Sequence, residues 1–91
     1  MDSYSLAARE IIKAQQAIIG PLAVDQAKLV GGLQIQDNSD VVITGNPKQI
    51  LSELVERYAA FFGQASIEVC RDAVREINPS IPPESLPENL A

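Results

Sequence analysis

Seven apolar residues follow Asn46-Pro47 at helical spacing: Ile50, Leu51, Leu54, Val55, Tyr58, Phe61 and Phe62, with Lys48, Glu53, Glu56 and Arg57 between them. A stripe of that period is stable in water only as one face of a helix packed against something apolar. The start is well marked, because Asn46 is a strong capping residue and Pro47 suits the first helical position, where its missing N–H costs nothing. Gly63 follows, and then a second stripe of Ala65, Ile67, Cys70, Ala73, Val74 and Ile77 lies opposite Glu68, Arg71, Asp72, Arg75 and Glu76. An isolated glycine costs a helix only about 1 kcal/mol, so the sequence leaves open whether residues 47–77 form one helix or two.

Upstream, Tyr4, Ala7, Ala8, Ile11, Ile12, Ala14, Ile18 and Ile19 recur at threes and fours, which predicts an amphipathic helix over residues 4–19 with Asp2 or Ser3 as its cap. Gly20-Pro21 predicts a stop or a kink, and then a short helix over 22–30 ended by Gly31-Gly32. Leu33 and Ile35 alternate with glutamines, Val41 to Thr44 are rich in β-branched residues, and the turn-forming run Asp37-Asn38-Ser39-Asp40 lies between them. This predicts a β-hairpin over about residues 33–44, which needs support from the helices or from a second copy. Pro79 ends the last helix. The expected fold is mainly α with one short β-hairpin between helices: a single domain over residues 1–78, then a proline-rich extended tail over 79–91. No internal repeat at the periods of solenoid arrays is expected.

A chain of 91 residues supports one small core. Its apolar stripes exceed what such a core easily encloses, which predicts a homodimer with Ile11, Ile18, Leu54, Tyr58, Phe61 and Phe62 at the interface. Seven basic against twelve acidic residues give a net charge of -5 with no cationic cluster. That composition disfavours binding to nucleic acid or to anionic membranes. No run of about 20 apolar residues is present to span a bilayer, and MDSYSLAARE has neither the basic nor the apolar region of a signal peptide. One cysteine suits a reducing compartment, so a cytoplasmic location is expected.

Histidine is absent, which removes the usual general base and the commonest transition-metal ligand. Cys70 falls on an apolar face with no evident cation or helix N-terminus to lower its pKa, so it reads as a packing residue. The run from Asp37 to Asp40 lacks the central glycine and closing glutamate of a calcium loop. Gly31-Gly32 belongs to no phosphate-loop pattern. Gly45 and Asn46, between strand and helix, are the one candidate anion site, with capping as the simpler explanation. Glu53, Glu56, Glu68, Asp72 and Glu76 lie among arginines as surface ion pairs do. In the tail, Ile81, Leu86 and Leu90 are the candidate anchors for docking into a groove of this chain or of a partner protein. No metal or cofactor is expected. The function expected is that of a non-enzymatic accessory or adaptor protein, the alternatives being a small-ligand or anion-binding regulator and a Cys70-dependent redox sensor or enzyme.

Overall fold

The computed structural model describes residues 2–36, 40–78 and 80–91. It has four helices and a two-stranded antiparallel sheet: α1 Ser3–Ile19, α2 Leu22–Ala27, β1 Leu33–Ile35, β2 Val41–Ile43, α3 Pro47–Phe62 and α4 Gln64–Arg75, with a 3-10 turn Pro83–Ser85 in the tail. The fold is therefore mainly α with one small hairpin. Leu33 pairs with Ile43 and Ile35 with Val41, so the sheet buries Leu33 and Val41. Residues Asp37, Asn38 and Ser39 of the expected turn, and Pro79, lie outside the described residues.

The caps match the local chemistry. Asp2 accepts from the Ser5 N–H at 2.8 Å, and Asn46 accepts from the N–H groups of Lys48 and Gln49 at 3.1 and 3.2 Å. Residues 47–77 hold two helices rather than one, because Gly63 sits at φ 70° and ψ -154°. Gly20, at φ 67° and ψ -147°, makes the same break between α1 and α2. In each case the glycine N–H donates to the carbonyl four residues back and its own carbonyl accepts three residues on: Gln16 and Ala23 around Gly20, Ala59 and Ser66 around Gly63.

This likeness extends beyond the joints and corrects the expectation of no repeat. Gly63 follows Gly20 by 43 positions, and at that offset AIIGPLAVDQAK aligns with AFFGQASIEVCR. The buried residues coincide as well. Ala7, Ala8, Ile11, Ile12 and Gln15 of α1 correspond to Ile50, Leu51, Leu54, Val55 and Tyr58 of α3, and Ala23 and Ala27 of α2 correspond to Ser66 and Cys70 of α4. The chain is thus two helix-glycine-helix units joined through the hairpin. Few identities are kept between them, Glu10 with Glu53, Ala17 with Ala60 and Gly20 with Gly63, and elsewhere the likeness is chemical, with aspartate for glutamate and lysine for arginine, which is why the sequence reading passed over it.

The units pack crosswise, α1 against α4 and α2 against α3, so each buries the other's stripe. At one end of the molecule, Tyr4 near the start of α1 and Lys48 near the start of α3 both reach the tail, at the carbonyls of Ser85 and Glu84. Helices of 17 and 16 residues are about 25 Å long at a rise of 1.5 Å per residue. The molecule measures 29 × 28 × 21 Å, so each helix spans nearly its full extent and carries its glycine joint a helix length away from these tail contacts.

A Cβ at Gly20 or Gly63 meets no atom within 4 Å, yet both backbones are in a region that side chains rarely adopt. Gly20→Ala and Gly63→Ala are therefore expected to lose similar stability through backbone strain alone, about 1–3 kcal/mol each, read from urea unfolding curves.

Candidate functional site

Two buried polar side chains hold the units together, one from each. Gln15 donates through Nε2 to the Ser66 carbonyl at 3.2 Å and to the Cys70 Sγ at 3.4 Å. Tyr58, at the equivalent position of the second unit, donates its hydroxyl to the Ala23 carbonyl at 2.7 Å. The residues approached are small, Ala23 and Ala27 in one unit and Ser66 and Cys70 in the other, so a side chain can reach the facing helix backbone. Cys70 is fully buried. Burial pushes its thiol up to about 11, against a smaller lowering by the Gln15 hydrogen bond. Burial, and then the nearby Cys70, push the Tyr58 phenol up as well. An inaccessible thiol with a raised pKa is a poor nucleophile, which weighs against the redox alternative.

The Gly45-Asn46 junction borders a cavity of about 310 Å³ lined by Gly31, Gly32, Thr44, Gln49, Ile50 and Glu53. Asn46 already caps the helix N–H groups that an anion would use, and the Glu53 carboxylate opposes negative charge there. The groove between α1 and α4 is larger, about 520 Å³, and is lined by Glu10, Lys13, Ala14, Val69, Asp72, Ala73 and Glu76. Of its charges, Glu10 pairs with Lys13 at 3.8 Å and Asp72 with Arg75 at 3.1 Å. Among the described residues, no three carboxylate or thiol groups are placed to hold a metal ion, and no helix is long and apolar enough to cross a membrane.

The tail is anchored on its own chain and is not extended throughout. Ile81, Leu86 and Leu90 are buried, and a 3-10 turn interrupts the extended backbone at Pro83–Ser85. Arg71 donates to the Asn89 carbonyl at 3.3 Å, and Asn89 donates to the Ser52 carbonyl at 3.1 Å. Side chains of α1, α3 and α4 thus grip the tail by its backbone, and its three apolar anchors are already occupied.

The expected interface residues divide into two groups. Ile11, Leu54 and Tyr58 are fully enclosed within one chain, so they belong to the core and offer no surface to a second copy. Their stripes are satisfied by the other unit of the same molecule. Ile18, Phe61 and Phe62 are 62%, 54% and 44% exposed. The physical reason is length. Ile18 continues the face of Ile11 and Gln15, and Phe61 that of Leu54 and Tyr58, one turn past the point where the opposing helices end the core. Leu22, two residues past Gly20, is exposed as well, and the two phenyl rings lie 6.0 Å apart, tilted by 34°. Residues 17–24 and 58–67 contain no charged side chain. The segments about the two joints are thus uncharged in a molecule of net charge -5. The recurrence of A-I-I-G as A-F-F-G was the signal in the sequence that locates it.

A thiol whose pKa rises from 9.0 to about 11 on folding keeps its proton where the unfolded chain has lost it. Stability should be fully present below about pH 9 and fall as pH rises towards 11, with Tyr58 contributing in the same direction; melting temperatures across this range check it. In the native state at neutral pH, Cys70 should resist a thiol reagent that labels the denatured chain stoichiometrically. Tyr58→Phe, which leaves the Ala23 carbonyl without its side-chain donor, should cost about 1–3 kcal/mol in urea unfolding.

No protein-family model, no curated protein and no solved structure matches this chain.

Proposed function

We propose that this protein is a small non-enzymatic accessory or adaptor protein of the cytoplasm that works through protein contacts, as a homodimer joined at its glycine-joint end. The observation that carries the reading is the exposure of Ile18, Leu22, Phe61 and Phe62 close in sequence to the two glycine joints, where residues 17–24 and 58–67 carry no charge. Clustered exposed apolar side chains of this kind mark interaction surfaces, whereas scattered ones do not. Aromatic residues carry a large share of the energy at such surfaces. The buried, protonated Cys70, the engagement of Asn46 in capping α3 and the ion pairing of Glu10, Glu68 and Asp72 support the non-enzymatic side of the proposal. A partner reached through the tail is disfavoured by the burial of Ile81, Leu86 and Leu90, since the tail would first have to leave its own groove.

Sedimentation equilibrium of the purified chain over a wide concentration range tests the proposal. A reversible dimer is expected, together with its loss in Phe61→Ser/Phe62→Ser; a monomer at every concentration would count against it. At concentrations where the chain is monomeric, Phe61→Ala should cost less than about 1 kcal/mol of folding stability, because the ring supports no core.

A further inference from the structure

The tail docks on α4 without closing the seam completely. A cavity of about 220 Å³ remains between them, with Val74, Ile81, Leu86 and Leu90 as its apolar wall and Arg71 and Arg75 as its charged side chains. The remaining lining, Ser80, Pro83 and Ala91, adds no ionisable side chain. The grooves described above have the opposite character: Glu10, Asp72 and Glu76 line the one between α1 and α4, and Glu53 lines the one at Gly45. In a chain of seven basic and twelve acidic residues, an apolar cavity whose charged side chains are both arginines departs from its surroundings.

Both guanidinium groups keep donors to spare, since each has five N–H groups. Arg71 gives Nε to the Asn89 carbonyl and Nη1 to Glu68, and Arg75 gives Nη1 to Asp72. The two ion pairs are i,i+3 contacts with exposed carboxylates, and pairs of that kind hold little energy. The wall beneath is buried at all four apolar positions. At about 30 Å³ for a water-sized group, the cavity holds on the order of seven such groups, the length of a medium alkyl chain. We propose that this cavity binds a medium-chain monocarboxylate, with its alkyl chain among Val74, Ile81, Leu86 and Leu90 and its carboxylate on Arg71 and Arg75. The bound molecule joins α4 to the tail. The site is independent of the dimer reading and stands or falls without it.

Octanoate added to the full chain is the probe. Saturable one-to-one binding is expected, with a Kd of about 1 mM or below, and with NMR shifts of the methyl groups of Val74, Ile81, Leu86 and Leu90 while those of Ile18 stay still. Arg75 is exposed and holds none of the tail carbonyls. Arg75→Gln should therefore keep the melting temperature of the free protein and weaken octanoate at least about fivefold, with Arg75→Lys in between. Octylammonium, the same chain with the opposite charge, should bind at least about tenfold more weakly than octanoate. Equal or tighter binding of octylammonium would mean that Glu68 and Asp72 set the charge of the mouth, and would overturn the proposal. Undiminished octanoate affinity in Arg75→Gln, shifts confined to Ile18, or no saturable binding by about 10 mM would each overturn it as well.

Discussion

Two hydrogen bonds from side chain to backbone, Gln15 to Ser66 and Tyr58 to Ala23, determine how the halves of this protein meet. Each spans the interface between units, and each depends on a small residue at its receiving end. A carbonyl oxygen has two lone pairs, so a helical residue can serve its own helix and still accept from outside if the donor can approach. Ala23 and Ser66 permit that approach. The crossed packing of α1 on α4 and of α2 on α3 follows, and with it the enclosure of Ile11, Leu51, Leu54 and Val55. A chain of this size buries a limited share of its surface. Here each half supplies the apolar wall that the other lacks.

The break at each glycine makes this arrangement possible. Without it, α3 and α4 would form one rod of nearly 30 residues with its apolar stripes along an open side. Bending the chain at Gly20 and Gly63 folds each unit back on itself, and the residues just before each bend are carried past the end of the core. The exposure of Ile18, Phe61 and Phe62 is thus a geometric consequence of the fold. The absence of charge across residues 17–24 and 58–67 is a separate property of the sequence, since nothing in the packing prevents a lysine or a glutamate there.

At the opposite end, the tail does the closing. Tyr4, Lys48 and Arg71 hold backbone carbonyls of the tail rather than its side chains, while Ile81, Leu86 and Leu90 fill the spaces beneath. The apolar anchors of the tail gather beside Val74 of α4, so the tail is closed on its own chain while Ile18, Phe61 and Phe62 stay open to solvent.

Local chemistry was legible in the sequence. The helices, their caps at Asp2 and Asn46, the hairpin and the exclusion of histidine chemistry all follow from the spacing and identity of near neighbours, because capping, periodicity and turn preference act within a few residues. The break at Gly63 was not legible, since a glycine inside an apolar stripe costs a straight helix about as little as it costs a bend; packing of α4 onto α1 decided it. The division of the stripes was hidden for the same reason. Periodicity places Ile11, Tyr58 and Phe61 on apolar faces alike and contains nothing about where the opposing helix ends. Tertiary structure alone made Ile11 and Tyr58 core and left Phe61 at the surface, because burial depends on residues distant in the chain that only folding brings together.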